Sequence, residues 1–105
     1  MHFINKKNKF KKMATIIIPT PLRKFTNNNS RLQLKANSIQ EAVNELTLNF
    51  PDLKKHLLDE NGKLRSYINV FVGNEDIRNL QQEETVVQQD SVISIIPAIA
   101  GGLFI

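Results

Sequence analysis

Apolar and polar positions alternate, cluster and break along this chain in a readable order. Ala14-Thr15-Ile16-Ile17-Ile18 is β-branched and ends at Pro19, which predicts a buried first strand. The Pro19–Thr26 stretch, with prolines at 19 and 21, is expected to be a connection that is not helical at its start. Asn27-Asn28-Asn29-Ser30 is a turn, since asparagine tolerates left-handed backbone and bonds locally. Arg31 to Ala36 alternates polar and apolar, the mark of a half-buried strand. Strand, turn and strand make a hairpin.

Ser38 with Glu41 three residues on is a capping box. Behind it Ile39, Ala42, Val43 and Leu46, with Phe50 at the end, recur at helical spacing and form one apolar face, which Pro51 terminates. Asp52 to Leu58 suits one further short turn of helix, and Asp59-Glu60-Asn61-Gly62 a turn. Leu64 to Val72 is the longest strand candidate. Ile68, Val70 and Val72 point to the core side, and Tyr67, Asn69 and Phe71 to the other. Gly73-Asn74-Glu75 turns the chain, and Asp76 to Arg78 is a short strand at most. Glu83 to Asp90 crosses back to a final strand, Val92 to Ile96, which is expected to stop at Pro97.

This order allows one helix to cover one face of a small mixed sheet. The first and last strands are the most apolar and are expected to be neighbours at its centre. The predicted class is α+β, the β-grasp or ubiquitin-like arrangement, in one domain over residues 13–97. A basic leader precedes it at 1–12, and a flexible tail follows at 98–105.

Composition narrows function mostly by exclusion. The 105 residues suffice for a single core. The formal charge of +4 is misleading, because Lys6, Lys7, Lys9, Lys11 and Lys12 lie in the leader; without them nine bases face ten acids. The domain therefore gives no electrostatic reason to bind nucleic acid. The leader lacks the apolar centre of a secretory signal and the arginine-rich pattern of a transit peptide, and reads as a disordered basic segment. Met13, immediately before the first strand, is a candidate translation start. No apolar run approaches a membrane span, so no membrane partner is expected and a cytoplasmic location fits. Without cysteine there is no disulfide and no thiol chemistry. His2 and His56 form no metal-site spacing. Asp59-Glu60, Glu75-Asp76 and Glu83-Glu84 are pairs in turns, better suited to solvent or a basic partner than to acid–base catalysis. Gly62, Gly73, Gly101 and Gly102 make no phosphate-binding or dinucleotide fingerprint.

The most informative stretch is Pro97-Ala98-Ile99-Ala100-Gly101-Gly102-Leu103-Phe104-Ile105. Consecutive glycines near a terminus pack nothing and can pass backbone through a narrow cleft. From Pro97 to Gly102 an extended tail reaches about 20 Å.

Several stretches together resemble the MoaD/ThiS family of ubiquitin-like sulfur carriers, which includes the small subunit of molybdopterin synthase. They are Ile18 to Arg23, the helix opening at Ser38 to Leu46, Tyr67 to Val72, Asn74 to Arg78, Asp90, and Ile95 through Gly102. The resemblance covers about Met13 to Gly102, and the Ile-Pro-Ala-Ile-Ala-Gly-Gly ending is nearest to carriers of the cysteine-synthesis type.

The resemblance implies a protein substrate and sulfur donor that is not itself an enzyme and binds no cofactor. A partner adenylyltransferase, resembling a ubiquitin-activating enzyme, uses ATP to activate the carboxylate of the last glycine. The acyl-adenylate becomes a thiocarboxylate. Its sulfur passes to an acceptor enzyme, the molybdopterin synthase large subunit or a cysteine synthase type. Carried over, Gly102 holds the reacting carbonyl and Gly101 gives side-chain-free approach. Ala98, Ile99 and Ala100 line the channel, and Phe71 and Ile96 belong to an apolar docking surface. This chain departs from the pattern because Leu103-Phe104-Ile105 follow the glycines. Cleavage between Gly102 and Leu103 by a JAMM-type zinc metalloprotease is therefore expected. The competing readings are a ubiquitin-like modifier conjugated through Gly102 and a β-grasp interaction module that never uses its tail.

Overall fold

Five strands form one sheet in the order β2-β1-β5-β3-β4. They are β1 (Lys12–Ile17), β2 (Arg31–Ala36), β3 (Ile68–Val72), β4 (Glu75–Asp76) and β5 (Val92–Pro97). A computed structural model describes residues 11–98. β1 and β2 are an antiparallel hairpin, with Ile16 opposite Leu32 and Lys12 opposite Ala36. β5 lies parallel to β1, with Thr15 opposite Val92, and antiparallel to β3, with Val70 opposite Ile95. The two most apolar strands are thus adjacent at the centre. The sheet is mixed because the chain returns to β1 through the helix and β3 instead of a tight turn. This is the β-grasp, ubiquitin-like fold.

The helix α1 (Ile39–Asn49) covers one face. Ser38 is its N-cap, and its Oγ accepts the Glu41 amide at 3.2 Å. The Glu41 carboxylate reaches one residue further back than a standard capping box, accepting the Asn37 amide at 2.8 Å. Ile39, Ala42, Val43 and Leu46 are buried against Ala14, Ile16, Ile68, Val70, Ile93 and Ile95 from the sheet. Phe50 packs at the rim of this core and caps the helix C-terminus. The chain then makes a 3₁₀ turn at Pro51–Leu53 and the short helix α2 (Lys54–Leu57), which bury Leu53 and Leu57.

The local structure departs from the sequence pattern in five places. β1 begins at Lys12, inside the segment read as leader, where the Lys12 amide donates to Asn37 Oδ1 at 3.1 Å. Pro19 is extended, with ψ 152°, but Thr20–Phe25 then winds into a 3₁₀ helix. Pro21 falls in its first turn, where a missing N–H costs nothing, and Arg23 Nε donates to the Ile18 carbonyl at 3.0 Å. The strand expected from Leu64 is confined to Ile68–Val72. Leu64 instead makes an isolated bridge to Leu58, and the Ile68 amide closes a turn onto Arg65. β5 continues through Pro97, which lies opposite Ile68. At a strand end a proline still contributes its carbonyl and loses only an N–H. β4 (Glu75–Asp76) gives way to a 3₁₀ turn at Ile77–Asn79, capped by the Asp76 carboxylate.

Candidate functional site: the open sheet face and the root of the tail

Strand alternation divides β5 cleanly. Ile93, Ile95 and Pro97 are buried under α1, whereas Val92, Ser94 and Ile96 face outward. Across the register, Asn69 lies opposite Ile96 and Phe71 opposite Ser94, so Phe71 and Ile96 occupy the same open face. They are diagonal neighbours, a separation of about 7–8 Å between backbones. Ile96 is 47% exposed and Phe71 is half-buried. The pairing of β1 with β5 places Ile17 opposite Ser94 and Thr15 opposite Val92, which adds Ile17 and Val92 to this surface. Neither was evident beforehand, because Ile16-Ile17-Ile18 reads as one buried run. Only the period of two, with Ile16 and Ile18 fully buried on either side of half-buried Ile17, marks it.

The polypeptide leaves the sheet at the end of β5. Ala98 is exposed, and its amide donates to the Tyr67 carbonyl at 2.6 Å, extending the β3–β5 ladder by one bond. Tyr67 itself lies on the open face next to Asn69 in the outward series. Ile99, Ala100, Gly101, Gly102 and Leu103 lie outside the described residues. The tail therefore has its root on the central strand, beside Ile96 and one strand from Phe71. The central strand is paired on both sides, with β1 and with β3.

The surface is mostly neutral at its centre, with charge at its borders. Arg31, Gln33 and Lys35 line its β2 side, and Asp76 and Arg78 its β4 side. The two surface cavities of about 560 Å³ are lined by neither Phe71, Ile96 nor Ala98. Among the described residues no group of His, Asp or Glu side chains is arranged to hold a metal ion, and no helix is long and apolar enough to cross a membrane. The chemistry this face offers is apolar contact: Ile17, Phe71, Val92 and Ile96 form a patch of the kind that suits docking.

A mixed sheet gripping one helix, with the chain leaving from its central strand, defines a ubiquitin-like protein. The chain belongs to the ThiS family of ubiquitin-like sulfur carriers, whose model matches residues 16–102. It is 29% identical over 91 residues to the sulfur carrier protein CysO of Mycobacterium bovis, spanning 85% of this chain and 98% of that protein. The solved structure of the Amycolatopsis orientalis BexX/CysO complex matches with 32% identity and a TM-score of 0.78, over 85% of this chain and 99% of the other. The small archaeal modifier protein 1 of Methanosarcina acetivorans, at 24% identity and a TM-score of 0.77 over 88% and 98% of the two chains, shares the fold. A sulfur-carrier role follows from the family. Carriers of this kind act as substrates and sulfur donors.

Proposed function

We propose that this protein carries sulfur on Gly102 and gives it to an acceptor enzyme of the cysteine-synthesis type. The observation that carries this reading is the span of the family match: it runs through Gly101-Gly102 and leaves Leu103-Phe104-Ile105 outside. Hydrolysis of the Gly102–Leu103 amide by a JAMM-type zinc metalloprotease adds water across the bond. It leaves a carboxylate on Gly102 and frees the tripeptide as an amine. A carboxylate oxygen then attacks the α-phosphorus of ATP on a partner adenylyltransferase, and pyrophosphate departs. A sulfide-level sulfur nucleophile displaces AMP at the carbonyl carbon and forms the thiocarboxylate.

The chain contributes presentation to these steps and no catalytic group of its own. Ile96 and Phe71 dock the domain, while Ala98, Ile99, Ala100 and Gly101 enter the partner's channel without bulky polar side chains. ATP belongs to the partner, and the site of action is cytoplasmic. The cysteine-type acceptor is favoured over the molybdopterin type by the relatives named CysO. The BexX/CysO complex supports an enzyme partner for such a carrier.

Intact-mass measurement of the protein isolated from its own cells tests the proposal. The expected species lacks Leu103-Phe104-Ile105 and shows the oxygen-to-sulfur gain at its new terminus. An isopeptide remnant of Gly102 on target lysines, with no thiocarboxylate, would establish the modifier instead. A solely full-length species under sulfur-demanding growth would leave the interaction module.

A further inference from the structure

We infer that Arg78 is a positioning residue that fixes the root of the tail from the far side of β3; its role in sulfur delivery rests on the carrier reading above. β3 has two edges. One pairs with β5, and through Tyr67 the same edge accepts the Ala98 amide at 2.6 Å. On the other edge β4 covers only Phe71 and Val72, so the strand partner ends before the Ser66 and Ile68 carbonyls. Arg78 takes the missing strand's place. Its Nη2 donates to the Ser66 carbonyl at 2.9 Å and the Ile68 carbonyl at 3.3 Å. Its Nη1 donates to Asn69 Oδ1. The Asp76 carboxylate, 3.7 Å from Nη1, holds the guanidinium from behind.

The carbonyls that Arg78 grips flank Tyr67, whose carbonyl bonds Ala98. A displacement of Ser66–Ile68 on one edge would therefore move the tail's last described anchor on the other. Only a planar fork can reach these three acceptors together; an ammonium concentrates its donors at one point. The side chain is 45% exposed and stands outside the hydrophobic core, so its bonding to the β3 backbone is not a by-product of core packing. The arrangement orients the segment that feeds Gly102 to the activating enzyme, and misplacement of a reacting group by about 1 Å costs up to two orders of magnitude in rate.

The test compares wild type, Arg78→Met and Arg78→Lys, each ending at Gly102. Amide exchange at Ala98 and Ile95 is followed by NMR, and ATP–pyrophosphate exchange is measured with the adenylyltransferase of the same organism. In both variants Ala98 exchange is expected to rise about tenfold while Ile95 is unchanged, as for local opening of one strand end. The kcat/KM for the carrier is expected to fall about tenfold, with near-normal thermal stability. Unchanged Ala98 exchange in Arg78→Met overturns the inference, as does wild-type behaviour of Arg78→Lys, which would make charge sufficient. Faster Ala98 exchange with unchanged kcat/KM overturns the role in delivery. A wild-type chain that is never adenylated overturns the carrier reading and the delivery role with it, while the exchange data still decide whether Arg78 anchors Ala98.

Discussion

The imidazole of His56 lies against the ring of Phe25, with centroids 4.4 Å apart and planes inclined by 26°. This stack joins α2 to the 3₁₀ helix that follows β1. Lys24 Nζ sits 5.3 Å from the centre of the same Phe25 ring. Partial burial holds the His56 pKa below its ordinary value of 6.5; Lys55, Lys24 and Arg65 add to that shift, and Asp52 opposes it. The unfolded chain therefore binds the proton more readily than the folded one. Stability is fully present above the ordinary imidazole range and falls as pH drops through 6.5, levelling once the folded protein also protonates. Urea denaturation between pH 8 and 5 is expected to show this decline, and His56→Gln to flatten it. An unchanged slope in His56→Gln would assign the decline to other groups.

Removal of the Ser38 cap on α1 is expected to be measurable because the Glu41 amide depends on that one side chain. Ser38 Oγ accepts the Glu41 amide, and that amide has no intrahelical partner. Ser38→Ala is expected to cost about 1 kcal/mol, and Ser38→Asp, which restores an acceptor, to recover most of it. Thermal melts of the three proteins check this, the loss corresponding to about 4–8 °C for a domain of this size.

Much of this architecture was legible because local and global preferences agree. Ser38, Glu41 and the Ile39–Leu46 spacing specify α1 without reference to anything distant, and β5 and the hairpin follow from their own alternation and turns. The outward placement of Asn69 and Phe71 follows from the period of two alone. The remainder depends on contacts between residues far apart in sequence. Leu64 to Val72 keeps its alternation even where Leu64 turns away to pair with Leu58, so pattern alone overextends β3. The 3₁₀ helix at Thr20–Phe25 is secured by Arg23 reaching Ile18 and by buried Leu22 and Thr26. For Arg78 the sequence shows a polar turn residue; the acceptors that give it a role lie 9 to 12 positions away.

Leu46 is expected to be among the costliest positions to truncate. It is fully buried where α1 meets the sheet, together with Ile16, Ile39 and Ile93. Leu46→Ala removes apolar contact and leaves a cavity that a helix pinned by its cap and by Pro51 cannot close. The expected loss is about 2–5 kcal/mol, read from urea denaturation at constant m-value. A loss below about 1 kcal/mol would show that α1 shifts to fill the space.

The open face is expected to separate binding from folding. Ile96 is 47% exposed, so charge placed there stays solvated in the free protein, and Ile96→Asp is expected to cost about 1 kcal/mol of stability through strand propensity. At the centre of an apolar interface the same carboxylate must be desolvated without a partner. Affinity for the adenylyltransferase proposed above is therefore expected to fall at least about tenfold. Phe71→Ser removes neighbouring aromatic area and is expected to act in the same direction. Leu48, 74% exposed on α1 in the opposite layer, supplies the control, and Leu48→Asp is expected to leave affinity unchanged. Calorimetric titration of the three variants with the partner decides the matter. Equal losses from Leu48→Asp and Ile96→Asp would place the docking surface elsewhere. Loss confined to Ile96→Asp and Phe71→Ser would put the partner on the face from which the tail departs.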